Sequence, residues 1–487
     1  MSNNYWKFYS DIEYPQNKLY GPEQSPPEYP YIEETAQGNG GNQVYEAVRD
    51  IFIAEKFDSE NIGTKRWNPL GEYICQGNTV LLKPNLVNHR NPQENDFQKG
   101  LDCMITHPSI VRVLFDYVYI ALKGKGEIII ADAPVQDCDF EELLRKSGYK
   151  ELFQFFKEQE TDDLKINIAD LREIILYKDN GRQRQCENKD KRYKGIVVDL
   201  KEESYFNEIK DKNRLRVTNY ASKDTVLHHK KGKNEYSISE AFLKADVVFN
   251  IVKPKTHRIA GYTAALKNMI GVNTRKEYLP HHQKGRKEAG GDEYTGSYRL
   301  LKFMNSWGND IKNWGLKYQY NWVSDTADNF SRKVGKELDG KEKNRKKFGM
   351  WYGNDTIWRT ILDINRIVYY SDEKGRICRE QQKKILHFGD MIVSGEREGP
   401  LRPAYKKVGG ILFSDNPVAF DLCVVRLMGY DYKKFPTLCK AAEDRRLICE
   451  DINKIVLHSN NSEFDGKLTE IQKSFCFEPS SGWKDFL

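Results

Sequence analysis

The stretch Thr79-Val80-Leu81-Leu82-Lys83-Pro84-Asn85 is a short apolar run that ends in a lysine just where a proline stops it. Four more stretches share the plan: Ile128-Ile129-Ile130-Ala131-Asp132-Ala133-Pro134, Val247-Val248-Phe249-Asn250-Ile251-Val252-Lys253-Pro254, Ile385-Leu386-His387-Phe388-Gly389-Asp390 and Gly410-Ile411-Leu412-Phe413-Ser414-Asp415. Apolar runs of this length suit strands buried on both faces. Helical patterns stand between them, so the sequence predicts an α/β fold, a mostly parallel sheet with helices on both faces and two large polar insertions. Ligands of such sheets bind beyond the carboxyl ends of the strands. Two lysines and three aspartates at strand ends therefore point to one polar site, a reacting centre or a receptor for an anion.

The chain has 487 residues, 39% hydrophobic and 30% charged, with a net charge of +6. An excess this small for the length argues against a dedicated nucleic-acid binder, which would show a clustered basic face. The nine cysteines form no Cys-x-x-Cys pair, so there is no iron–sulfur or zinc-ribbon spacing, and they read as reduced thiols. No apolar stretch reaches spanning length, and the first residues lack the plan of a signal peptide, so a cytoplasmic location without membrane contact is expected.

Three regions are expected. Residues 1–42 read as an extended N-terminal arm, with Gly38-Asn39-Gly40-Gly41 as a hinge; 43–430 form the α/β core; 431–487 form a C-terminal cap. The core carries insertions at about 156–235 and 280–352. The second interleaves Tyr and Trp with charges of both signs, and reads as a solvated or homodimer-forming element rather than a nucleic-acid surface. Predicted helices cover about 109–123, with Thr106 as N-cap, then 140–146, 237–245, 262–270, 354–370 and 418–428.

The sharpest constellation is Lys253-Pro254-Lys255-Thr256-His257. Pro254 holds Lys253 extended, and in an extended chain residues two apart share a face. Lys253, Lys255 and His257 are thus expected to point together off a buried strand, where only an anion or the loss of a proton relieves their mutual repulsion. Lys267 and Asn268 sit on the next helix, one turn after Thr263, with Gly261 leaving room at its start. Lys83 and Asn85 repeat the lysine–proline geometry. His107, at a helix start, is expected to be neutral, either as an acid–base group or as a capping residue. Asp132 and Asp390 are candidate ligands of a divalent metal, the cofactor being otherwise open; Asp415 reads as the cap of the following helix. Glu396 and Gly399, candidate substrate-binding residues, belong to a glycine-rich loop between the strands 385–389 and 410–415, where Gly399 allows close backbone approach and Glu396 is also a candidate to share a divalent cation with Asp390. His281-His282 is a weak zinc pair. No phosphate-binding loop, dinucleotide fingerprint or nucleophile elbow occurs.

These motifs, in this order, resemble the domain of unknown function 362 family. The resemblance rests on Leu81-Leu82-Lys83-Pro84-Asn85-Leu86-Val87, Thr106-His107-Pro108, Ala131-Asp132-Ala133-Pro134, Lys253-Pro254-Lys255-Thr256-His257 and Ala265-Leu266-Lys267-Asn268-Met269-Ile270-Gly271. Glu398-Gly399-Pro400, Ser414-Asp415-Asn416-Pro417-Val418-Ala419-Phe420-Asp421 and Arg426-Leu427-Met428-Gly429 complete it, over about residues 78–430. It implies a prokaryotic α/β protein of no settled activity, in some members joined to an iron–sulfur module whose cysteines are missing here.

The expected function is an enzyme acting on a small phosphorylated or carboxylated metabolite, by sugar-phosphate group transfer or isomerisation. Lys83, Lys253, Lys255 and Lys267 would bind the anion, Asn85 and Asn268 orient it, and His107, His257 or Lys255 move protons. The alternative is a non-catalytic binding protein or an accessory of an iron–sulfur or metal pathway.

Overall fold

The computed structural model describes residues 2–16, 19–30, 42–217, 220–341, 347–448 and 450–487. The Gly38–Gly41 hinge and Cys449 lie outside these described residues. No described helix is long and apolar enough to cross a membrane.

The apolar runs form the centre of one mixed sheet. Five strands, Lys384–Glu398, Val247–Val252, Thr79–Lys83, Gly126–Asp132 and Leu164–Asp170, lie side by side in that order, all parallel. Beyond Lys384–Glu398 the sheet turns antiparallel through Arg402–Ser414 and Asn4–Phe8, and Val456–Ser459 and Gly466–Lys467 close that edge. The α/β fold is therefore as the sequence indicates. The strand Leu164–Asp170, inside the first polar insertion, is part of the sheet rather than of a loop.

Strand side chains alternate between two apolar layers, as a period of two requires. Val80, Leu82, Ile128, Ile130 and Phe249 pack with the helices Gln43–Ala54, Pro108–Leu122 and Tyr149–Glu158. Leu81, Ile129 and Val248 pack on the other face with Ile357–Tyr370 and Pro417–Met428. All six residues of Val247–Val252 are buried, as a central strand covered on both faces must be.

Several local expectations are corrected. Thr106 does not cap the helix Pro108–Leu122; its hydroxyl donates to the Ile251 carbonyl (2.8 Å) and accepts from Asn85 N–H. His107 caps instead, its Nδ1 accepting from Ser109 N–H. Asp415 gives way to Asn416, whose side chain accepts from the N–H groups of Val418 and Ala419. The presumed glycine-rich loop is mostly strand: Lys384–Glu398 and Arg402–Ser414 form one long hairpin, so Asp390 lies within a strand. Residues 233–239 are strand, with the helix confined to Glu240–Lys244 after a Ser239 cap. Residues 261–263 are strand too, paired with Lys255–His257, and Ala265–Asn268 is a single helical turn. The second insertion is an antiparallel pair of helices, Arg299–Lys317 and Asn321–Lys341.

Two buried ion pairs tie the strand ends together. Lys83 Nζ lies 2.7 Å from Asp132 Oδ1, across the neighbouring strands that carry them. Lys253 Nζ lies 2.6 Å from Asp390 Oδ2, and also meets Tyr14 Oη and the Val393 carbonyl. Asp132 Oδ2 accepts from Leu86 N–H and Asp390 Oδ2 from His107 N–H, so each carboxylate also pins a loop. Gly271 lies directly on the first pair: a Cβ there would come within 2.1 Å of Asp132 Oδ1.

Removing one partner of a buried pair strands the other charge, at about 3–5 kcal/mol. Lys83→Met is therefore expected to lose about that much stability in denaturant unfolding. Adding Asp132→Asn, which is neutral yet still accepts from Leu86 N–H, is expected to restore much of the loss.

Candidate functional site

Beyond the carboxyl ends of the parallel strands lies a cavity of about 300 Å³. It lies where the chain re-forms after Pro254. Lys255–His257 pairs antiparallel with Gly261–Thr263, and Lys255 is opposite Gly395 of the long hairpin. This small ribbon, the helical turn Ala265–Asn268 and the loops after Lys83 and Asp132 supply most of the walls.

Of the residues expected at the site, Lys255, His257, Lys267, Asn85, Asn268 and Asp132 line this cavity. The structure sends the others elsewhere. Lys253 turns to Asp390 instead of the cavity, although its charge still acts on Lys255. Lys83 is wholly buried in its pair with Asp132. His107 is buried as a helix cap and stacks on Tyr14 at 3.8 Å; burial and then the nearby Lys253 charge hold its imidazole well below the usual range. Asp132 and Asp390 belong to separate ion pairs, three strand spacings or roughly 14 Å apart, and do not meet around one ion. Among the described residues no group of three or more His, Cys, Asp or Glu side chains could hold a metal. Glu396 pairs with Lys406 at 3.4 Å and accepts from Glu478 N–H. Gly399 serves close packing: its Cβ would sit 2.0 Å from the Thr256 carbonyl, while the next residues, Pro400 and Leu401, reach the cavity. Gly261 leaves no ligand space, because Phe435 and Trp483 fill it.

A buried chain of amides positions Lys255. Asn250 Oδ1 accepts from Asn268 Nδ2 (2.7 Å), Asn268 Oδ1 from Asn85 Nδ2 (2.7 Å), and Asn85 Oδ1 from Lys255 Nζ (2.5 Å). Lys255 also donates to the Lys253 carbonyl. It has no carboxylate partner among the described residues. Burial first, then the charges of Lys253 and Lys267, push its pKa well below an ordinary lysine. Burial alone brings Lys267 down to about 8, and it makes no hydrogen bond or ion pair among the described residues. Lys276, which lines the same cavity, is lowered to about 7, again first by burial.

Two histidines face this cavity in opposite tautomers. His257 Nδ1 accepts from the N–H groups of Ile259 (3.0 Å) and Ala260 (3.1 Å), so the proton of the neutral ring is on Nε2. His281 Nδ1 lies 2.6 Å from the Leu279 carbonyl, which can only accept, so its Nε2 carries the lone pair. Burial, then the charge of Lys267, depresses both rings, His281 to about 4. Thr263 adds a buried hydroxyl with no partner among the described residues.

Lys276 and the pairing of His281 with this cavity escape sequence reasoning. Lys276 follows no strand, and its neighbours Arg275 and Glu277 make it look like a surface residue. The signal for His281 was the His281-His282 doublet, but consecutive residues diverge: His282 is buried against Glu293 at 3.9 Å and is absent from the cavity wall. Both insertions reach the cavity, through Val217, His281 and Met350.

The chain belongs to the family described as domain of unknown function (DUF362), whose model matches residues 80–174 and 190–426. No curated protein matches it. Among solved structures it is similar to the lactate racemase apoprotein from Thermoanaerobacterium thermosaccharolyticum. Identity is 11% and the TM-score 0.25, over 80% of this chain and 56% of that one. The chain thus spans little more than half of that protein's length.

Lys267→Met removes a positive charge beside both imidazoles. The pKa values of His257 and His281 are then expected to rise, His281 above about 4, in histidine NMR titrations.

Proposed function

We propose that this member of the family is an enzyme that binds a small carboxylated or phosphorylated metabolite in the cavity and moves a proton on it, an isomerisation. One observation carries the reading: Lys255 and Lys267, without carboxylate partners among the described residues, share a cavity with two histidines in complementary tautomers. The one buried carboxylate in the wall, Asp132, is already engaged by Lys83, so the surplus positive charge is directed at the guest. A volume of about 300 Å³ suits a small molecule.

Lys267, charged below about pH 8, binds the anionic group, with the unpartnered Thr263 hydroxyl in the same cavity wall. His257, neutral with its proton on Nε2, donates to a substrate oxygen that gains negative charge in the transition state. His281 Nε2, a free lone pair, takes the proton from the carbon next to a carbonyl and returns it to the former carbonyl carbon, while His257 Nε2 gives its proton to the carbonyl oxygen and recovers one from the neighbouring hydroxyl. Before binding, Lys267 holds both imidazoles low; an anion on Lys267 cancels that effect and raises the basicity of His281. Lys255, its pKa lowered by burial, is the second nitrogen donor, held by Asn85 at the end of the amide chain that fixes its position. Isomerisation is preferred to phosphoryl or sugar group transfer because the ionisable groups this reading uses, Lys255, Lys267, His257 and His281, serve charge binding or proton movement.

A thermal-shift screen over phosphorylated and carboxylated metabolites is expected to find ligands whose stabilisation fades above about pH 8, as Lys267 loses its proton. Lys255→Met is expected to abolish that stabilisation and leave the unliganded melting point nearly unchanged, since it also removes a buried charge. Ligands found in this way should exchange a carbon-bound proton with solvent deuterium, and His281→Phe should slow the exchange by about 10²–10⁴-fold. Ligands that stabilise the wild type without any exchange would reduce the protein to a binder.

A further inference from the structure

The helix Arg299–Lys317 is built inside out. Apart from Leu316, its buried face is polar or small: Asn305 donates to the Ser331 carbonyl, Gly308 and Gly315 touch Ser331 and Ser324 of the partner helix, and Lys312 is enclosed. Its outward face carries Leu300, Phe303, Trp307, Ile311 and Trp314, and Tyr318 continues the line just past the helix end. Leu300 is 72% exposed, Trp307 53% and Tyr318 47%. The spacing of three and four residues puts these six side chains on one side of the helix axis, a stripe roughly 27 Å long. A soluble chain does not leave such a stripe of Leu, Phe and Trp in water without a partner.

We propose that this stripe is a two-fold interface with a second copy of the chain, the two helices packing antiparallel. The stripe is self-complementary. Its positions are placed nearly symmetrically about Asn309, so a two-fold axis there sets Leu300 against Tyr318, Phe303 against Trp314 and Trp307 against Ile311 of the second copy. Each pair joins residues of complementary bulk, and two tryptophans near the centre supply the anchor type on which interfaces depend. None of the six positions is charged. Of the charges beside them, Asp310 is used inside the chain by Lys284 and Arg216, and Lys317 by Asp224. The stripe therefore calls for an uncharged, matching surface rather than an acidic partner or an anionic membrane. The dimer would be formed by the insertion, on the outer face of its helices.

Sedimentation of the full chain at micromolar concentration is expected to show a dimer. Trp307→Glu, with far-UV dichroism and melting temperature unchanged, should weaken it by about 30-fold or more. Leu300→Cys and Tyr318→Cys should form a disulfide-linked dimer under mild oxidation when the two variants are mixed, and neither should do so alone above the wild-type background. A monomeric wild type, a Trp307→Glu variant that dimerises normally, or cross-linking of each cysteine variant with itself would overturn the proposal. So would a monomer that sediments with phosphatidylcholine–phosphatidylglycerol vesicles through this face.

Discussion

Positive charge inside a low-dielectric interior must find a counter-charge or lose its proton, and this condition organises the carboxyl end of the sheet. Four lysines, Lys83, Lys253, Lys255 and Lys267, occupy the region where the parallel strands end. Two have found aspartates. Lys83 with Asp132 and Lys253 with Asp390 are bonded so that each carboxylate also accepts from a loop N–H, which makes them cross-ties between strands and loops. Lys255 and Lys267 have no such partner among the described residues, and burial lowers both. The first two lysines hold the frame, and the other two leave an unmet demand for negative charge within it.

The amide chain connects frame and cavity. Asn250 sits in the central strand, with Nδ2 facing the Ala265 carbonyl and His387 Nδ1 and Oδ1 accepting from Asn268. From there the order passes through Asn85 to Lys255 without a break. Each amide has its orientation set by the one before it, so Lys255 is held by the core as well as by the short ribbon that carries it. The insertions supply other parts of the cavity wall, through Val217, His281 and Met350.

Much of this was legible in the sequence, for a physical reason. The five apolar runs are strands because their residues are buried on both faces, and a proline or polar residue ends four of the pairings. Lys255, His257 and Asn85 were readable together because each stands a few residues past such a run, and Lys267 and Asn268 because they sit on the helical turn that follows the same loop. What failed depends on contacts far apart in the chain. Nothing near Lys253 announces Asp390, 137 residues later. The long hairpin hid behind Gly395, Gly399, Gly409 and Gly410, which read locally as a loop; close approaches to Cys103 and Pro403, to Thr256, to Tyr9 and to Trp6 account for them in turn. At the two misread helix starts, His107 and Asn416 took the capping role one residue after the expected cap, while Thr106 and Asp415 were drawn into bonds with Ile251 and Asn3.

The most direct test of the claim that the cavity's lysines await an anion is competitive acylation of lysines in the native protein, read by mass spectrometry as a function of pH. Lys267 is expected to titrate near 8 and to be shielded when a small phosphorylated or carboxylated ligand is present, while Lys83 and Lys253 stay unreactive in their ion pairs. A Lys267 that titrates like a surface lysine and is indifferent to every such anion would contradict the account.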